Sequence, residues 1–224
     1  MTHAIAICSG GMDSVTLAYL EAQAYNDLTL VSFNYGQRHK KELNYASQAA
    51  KDLDVEWVIV PIDIGYLLAG SALTDPTVDV PFGHYEEESM KLTVVPNRNM
   101  IMLSIASGIA VAKGAEAVYI GVHAGDHAIY PDCRPEFIVQ CSYTVGLATE
   151  GFSHPELHIE APFVNSTKAD IVKIGHALNV PWEKTWSCYL GHDLHCGRCG
   201  TCVERREAFQ LAGVHDPTEY ERYE

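Results

Sequence analysis

No stretch of this 224-residue sequence is apolar for the roughly 18 consecutive residues that a bilayer-spanning helix needs, so no membrane partner is expected. Its start, Met1 to Cys8, lacks the basic stretch and cleavage site of an export signal, and a cytoplasmic protein is expected. Cations are scarce, with 15 Lys and Arg against 29 Asp and Glu and a net charge of −14. Nucleic-acid binding draws most of its affinity from cations on phosphates, so this balance speaks against an RNA or DNA partner. Acidity that keeps a protein soluble explains it equally well. The seven cysteines are odd in number and come without an export signal, which argues against a disulfide framework. Internal repeats and low-complexity tracts are missing too.

What is present is the make-up of a globular protein with a real core, 47% hydrophobic and 20% charged, of a length for one domain spanning 1–224. Apolar, β-branched runs at 4–8, 28–33, 57–61, 117–122 and 157–161 read as strands. Between them lie helical patterns at 13–24, 38–53, 97–113, 135–149 and 167–178. This alternation predicts an α/β fold, a doubly wound parallel five-stranded sheet whose ligand site lies beyond the carboxyl ends of the strands. The exception is 65–92, a long connection with an acidic Glu86-Glu87-Glu88 run, which reads as a lid or a partly disordered loop.

The first strand runs into Ser9-Gly10-Gly11-Met12-Asp13-Ser14, which opens the first helix. Two glycines permit a tight turn whose amides approach a phosphate, the helix N-terminus adds partial positive charge, and Ser9 and Ser14 add hydroxyls. Asp13 can hold Mg²⁺ against phosphates. Read alone, the same letters also fit an ordinary Gly-Gly turn. Neither the Walker A lysine nor the dinucleotide-fingerprint spacing is present.

Four cysteines, Cys188, Cys196, Cys199 and Cys202, fall within 15 residues. Two-residue gaps let thiolates converge on one ion, and four of them suit a closed structural Zn²⁺ site. His192 or His195 could replace one ligand. An iron–sulfur cluster is the rival, but the Cys-Pro that should follow Cys202 is missing. The metal would fasten a final helix at 201–211 to the Trp186 segment, making 185–224 a small zinc-binding helical element. Cys8, Cys133 and Cys141 read as core or near-site thiols.

The Ser9-to-Ser14 motif resembles that of the PP-loop ATP pyrophosphatases, which cleave ATP between the α- and β-phosphates and adenylate a substrate oxygen. Further segments resemble the 7-cyano-7-deazaguanine synthase (QueC) family: Tyr35-Gly36-Gln37-Arg38-His39 with Glu42-Leu43, Val95-Pro96-Asn97-Arg98-Asn99, Tyr130-Pro131-Asp132-Cys133-Arg134-Pro135-Glu136-Phe137 and Thr185-Trp186-Ser187-Cys188-Tyr189. The resemblance implies a homodimeric ligase that converts 7-carboxy-7-deazaguanine and ammonia to the nitrile through an adenylated carboxylate and an adenylated amide. It implies ATP with Mg²⁺ on Cys8, Ser9, Gly10, Gly11, Met12, Asp13, Ser14, Val15 and Lys168, with Asp13, Arg98 and Lys168 catalytic. It also implies zinc on the four cysteines. The expected substrate pocket is Arg98, Asp126, Asp132, Arg134 and Glu136, with Asp132 and Glu136 accepting from the base N–H groups and Arg134 steering the carboxylate. Each of these residues alone would also serve as a cap or a solvated charge. The stretch Gly121-Val122-His123-Ala124-Gly125-Asp126-His127-Ala128 departs from the family, which often has an aromatic at 127. A related deazapurine-amidating enzyme, a tRNA sulfurtransferase and a non-catalytic nucleotide-binding module are the alternatives.

Overall fold

The computed structural model describes residues 2–62, 64–68, 70–84 and 88–222. Five strands, β1 (His3–Ile7), β2 (Asp27–Asn34), β3 (Glu56–Pro61), β4 (Ala117–Tyr119) and β5 (His158–Glu160), form one sheet in the order β3-β2-β1-β4-β5, every pairing parallel. Among the described residues six α-helices cover it: α1 (Met12–Ala24), α2 (Glu42–Leu53), α3 (Arg98–Lys113), α4 (Pro135–Ala148), α5 (Lys168–Ala177) and α6 (Gly200–Ala212).

Both faces of the central strands are buried, which explains their continuous apolar runs. Ile5 and Ile7 point into one core with Leu103, Ala106 and Ile138 of α3 and α4. Ala4, Ala6 and Cys8 point into the other with residues of α1, α2, α5 and α6. A third cluster gathers around the four buried cysteines with Trp186 and Val80.

The second predicted helix begins later than expected. Residues 38–41 are a turn, because Arg38 instead hydrogen-bonds the carbonyls of Asp75 and Val78, both at 2.9 Å. Those bonds help tie down the long connection, as do Ala72 N–H to the Leu92 carbonyl (2.7 Å) and Gly83 N–H to the Arg198 carbonyl (3.1 Å). None of its described residues lines the central cavity. Glu86 and Glu87 of its acidic run lie outside the described residues. No helix among the described residues is long and apolar enough to cross a membrane.

The chain reverses direction across the sheet between β1 and β4, so the crevice at their carboxyl ends is the topological switch point. Gly121, just after β4, closes that crevice from one side: a Cβ there would stand 3.4 Å from the Asp13 backbone.

Candidate active site and metal centre

The loop after β1 is shaped by Gly10. Its φ is +97°, and a Cβ there would stand 2.1 Å from the Glu42 carbonyl oxygen and 2.8 Å from Ala46 N. Glycine is thus required both by backbone handedness and by the close approach of α2. The amides of Ser9 and Gly10 converge on Ser14 Oγ at 3.1 and 3.3 Å, and Ser14 Oγ donates to the Gly11 carbonyl at 3.1 Å. Two amides aimed at one oxygen at a helix N-terminus is how a backbone receives an anion.

Beside this loop lies a charge cluster drawn from four segments. Thr167 and Asp170 form a reciprocal capping box that fixes the first turn of α5 and presents Lys168. Lys168 Nζ is 2.9 Å from Asp13 Oδ2, 2.9 Å from Glu204 Oε2 and 3.1 Å from His123 Nε2. Burial works to lower the Lys168 pKa, but Asp13, Glu204 and Asp126 outweigh it and hold the ammonium charged. Burial raises the Glu204 carboxyl against the pull of Lys168. His123 Nδ1 accepts from Gly125 N–H at 3.1 Å, and His123 Nε2 is 3.6 Å from Asp126 Oδ1. Three carboxylates therefore share one lysine. Asp13 Oδ1 is buried and has no hydrogen-bond partner among the described residues, which leaves it free for a cation such as Mg²⁺.

From this cluster a cavity of about 220 Å³ runs toward α2 and α3. Cys8, Ser9, Gly11, Met12, Asp13, Ser14, Asp126 and Lys168 line one end, and the far end is more aromatic, with Phe33, Tyr35, His39, Tyr130, Trp186 and Tyr189. Arg98 also lines it. Burial works to lower the Arg98 pKa and the neighbouring Tyr35, Tyr130, Cys133 and Tyr189 raise it, so the guanidinium stays charged.

Several expected residues lie elsewhere. Val15 packs in the core beneath α1 and is not among the cavity residues. Asp132 accepts the Asn99 amide at 3.0 Å and so caps α3 instead of facing the cavity. Arg134 is exposed and donates to the His127 carbonyl at 2.9 Å, and Glu136 is exposed on the first turn of α4. The short turn at Pro131–Cys133 carries this segment past the rim, a detail that periodicity does not encode. Glu204, Glu42, His39 and Tyr189 were missed as site residues. Glu204 stands two positions after Cys202, where the metal motif claimed the signal, and Glu42 falls inside the helix expected at 38–53, where it counted only toward the family resemblance.

The four cysteine sulfurs lie within 4.8 Å of one another and all four residues are buried. A tetrahedral ion with thiolates at about 2.3 Å sets neighbouring sulfurs roughly 3.8 Å apart; Cys196 Sγ and Cys202 Sγ are 3.9 Å apart. The amides of Arg198 and Cys199 donate to Cys196 Sγ at 3.4 and 3.3 Å, and that of Cys196 to Cys188 Sγ at 3.4 Å. Such bonds favour the charged thiolate, so the donor set fits a metal ion. The nearby histidines are occupied: His195 Nε2 accepts from Ser187 N–H at 3.1 Å, and His192 pairs with Glu221 at 2.9 Å. The same element builds a wall of the cavity. Fully buried Arg205 donates to Thr185 Oγ1 (2.7 Å) and the Trp182 carbonyl (3.0 Å), and Thr201 Oγ1 to the Ser187 carbonyl (2.7 Å), fixing the segment that carries Trp186 and Ser187.

Comparison with known proteins agrees with this geometry. The family model for the queuosine biosynthesis protein QueC matches residues 3–213. The chain is 58% identical to 7-cyano-7-deazaguanine synthase 1 of Mesorhizobium japonicum, covering 98% of this chain and 94% of that one. It is likewise 58% identical to 7-cyano-7-deazaguanine synthase of Brucella ovis, covering 97% and 93%. Among solved structures, NMN synthetase from Francisella tularensis shares the fold, with a TM-score of 0.52 and 16% identity over 96% of this chain and 78% of that one.

Proposed function

The chain belongs to the QueC family of queuosine biosynthesis proteins, and from that premise we propose that it is the ATP-dependent carbon–nitrogen ligase making 7-cyano-7-deazaguanine from 7-carboxy-7-deazaguanine and ammonia. The observation that carries the reading is one crevice with an anion-receiving loop at one end and aromatic walls at the other. A triphosphate fits the first, and a planar heterocycle the second.

The substrate carboxylate attacks the α-phosphate of ATP and expels pyrophosphate. Ammonia then displaces AMP to give the amide, and a second adenylation on the amide oxygen permits loss of AMP and a proton to form the nitrile. Lys168 neutralises charge as pyrophosphate leaves, and the loop amides hold the phosphates in line. Magnesium, held by Asp13, would neutralise further phosphate charge. Zinc on Cys188, Cys196, Cys199 and Cys202 would be structural, since all four positions are filled by protein. Sulfurs this close surround one ion, whereas a multi-iron cluster separates its thiolates.

Thiolate chemistry of the sulfurtransferase kind is disfavoured. Burial pushes the Cys8 thiol up to about 11 and raises Cys133 further, so neither cavity thiol is ionised near neutrality. The reading extends to a cytoplasmic homodimer; Val139, Tyr143 and Leu147, exposed at one-turn spacing on α4, offer a second copy an apolar face. Sedimentation that finds only monomers would withdraw that extension.

The deciding experiment supplies ATP, Mg²⁺, ammonium and 7-carboxy-7-deazaguanine and follows products by mass spectrometry. AMP, pyrophosphate and a nitrile are expected. Absence of AMP with this acid would overturn the reading.

A further inference from the structure

Among the described residues three carboxylates line the cavity, and two belong to its phosphate end: Asp13 pairs with Lys168, and Asp126 lies beside His123. The third, Glu42, opens α2 and sits with the aromatic residues. Among the described residues no lysine or arginine forms an ion pair with it, and its only charged-type neighbour at short range is His39, at 3.5 Å. Its carboxylate is nevertheless fixed. Gln37 donates to Glu42 Oε1 at 3.2 Å and is itself held by the Phe33 carbonyl at 2.9 Å and the Tyr35 amide at 3.0 Å. Glu42 Oε2 has no hydrogen-bond partner among the described residues. A largely buried carboxylate held in one orientation, with its second oxygen open on a cavity lined by aromatic rings, is set to accept from a ligand there.

The guanine-type edge of a deazapurine presents two adjacent, coplanar N–H donors, on ring N1 and on the exocyclic amine. A carboxylate is the complementary pair of acceptors. We infer that Glu42 is the specificity-determining residue for the ring, its carboxylate accepting hydrogen bonds from N1–H and the exocyclic amine while the adenylated carboxylate faces the Ser9-to-Ser14 loop. This rests on the synthase reading, and it takes the base-reading role that the sequence suggested for Asp132 and Glu136.

Protonation supports the assignment. Burial pushes the Glu42 carboxyl up to about 8, with Gln37 and Arg98 pulling the other way. The ionisable groups facing it are Tyr35 and His39 of the β2–α2 connection, Cys8 after β1 and Arg98 of α3. His39 is held neutral, its pKa lowered to about 3 by burial with Arg98 and Arg38 adding to it. Two N–H donors favour the ionised carboxylate, so ligand binding near neutral pH should release a proton.

The test compares AMP formation from 7-carboxy-7-deazaguanine and from its analogue without the exocyclic amine, in the wild type and in Glu42→Gln. The wild type should prefer the amine-bearing acid by about 10- to 100-fold in kcat/KM, the range for a hydrogen bond to a charged group. In Glu42→Gln the preference should shrink toward parity, with the loss falling on KM. Calorimetry of the wild type in two buffers of different ionisation enthalpy should show proton release with the amine-bearing acid and less with the analogue. That measurement stands even where the variant fails to fold. A wild type indifferent to the amine, a variant that keeps the full preference, or equal proton release with both acids overturns the assignment of Glu42 alone. A wild type that makes no AMP from either acid overturns the synthase reading and this inference with it.

Discussion

The protein holds two polar clusters that solve opposite problems. At the cysteine centre the four ligands are of one kind, come from one short segment, are closed to solvent, and receive backbone amides on their sulfurs. In the cavity the groups are mixed, come from several loops and helix starts, and remain incomplete: Asp13 Oδ1 and His39 Nδ1 are buried without a hydrogen-bond partner among the described residues. One cluster has the donor set for a single metal ion, and the other opens on a cavity. Unsatisfied buried polar atoms are what a native fold otherwise avoids, so these two, which both line the cavity, are placed where a ligand can satisfy them. The clusters are also coupled, because α6 begins at the cysteines and delivers Glu204 to Lys168.

Removing a metal ligand should have the largest effect. Structural zinc contributes on the order of 10–16 kcal/mol in small zinc-binding peptides. Cys196→Ser removes the sulfur that accepts two amides. Bound metal should fall from one ion per chain to none, with loss of the cooperative thermal transition and of AMP formation together. Full activity in a metal-free variant would show the two clusters to be independent. Lys168→Met should act at the other end only: metal content unchanged, and kcat/KM for AMP formation down by about 10²- to 10³-fold, the scale for losing one charge-stabilising donor. A variant within a few-fold of wild type would remove Lys168 from the phosphate site.

The same contrast explains what the residues revealed before any fold was known. Parallel strands, helices and the cysteine motif are local patterns, and their positions held to within a few residues, apart from the turn at 38–41. The loop from Ser9 to Ser14 was equally legible as a glycine turn between strand and helix, because its residues are contiguous. The aromatic end of the cavity was not. Glu42 becomes a buried acid only because α2 closes on Gly10, and Asp132, which reads as a pocket acid, is consumed by the first turn of α3. Neither outcome has a signature shorter than the tertiary contact that produces it.

A smaller effect follows from the two titrating groups at the aromatic end. His39 is held to about 3, so it is neutral in the fold while the unfolded chain carries the proton; its contribution to stability rises with pH from about 3 to the ordinary 6.5. Glu42 is pushed up to about 8, so the fold keeps a proton that the unfolded chain has lost; its contribution falls with pH from the ordinary 4.5 to about 8. Between 4.5 and 6.5 the two slopes, each at most about 1.4 kcal/mol per pH unit, oppose each other and this pair leaves stability nearly level. His39→Asn should break the balance: relative to the wild type, its urea-unfolding stability should fall by up to about 1.4 kcal/mol per pH unit as pH rises from about 3 toward 6.5. Identical pH profiles for the two proteins would show that His39 is not neutral in the fold.

The smallest effect is the one that fixes the boundary of the cavity. Asp132 Oδ2 takes the Asn99 amide at 3.0 Å, and Asn99 Nδ2 donates in turn to the Asp132 carbonyl at 3.1 Å and to Cys133 Sγ at 3.2 Å. Alanine at 132 keeps the carbonyl and loses only the cap, a change of about 1 kcal/mol for a helix N-terminus. Asp132→Ala should therefore lower stability by about that amount and leave KM for 7-carboxy-7-deazaguanine where it was, whereas Glu42→Gln should raise KM. A tenfold rise in KM for Asp132→Ala without loss of stability would reverse the assignment. Asp132 would then reach the ring in the bound state, and α3 would have to give up its cap to let it do so.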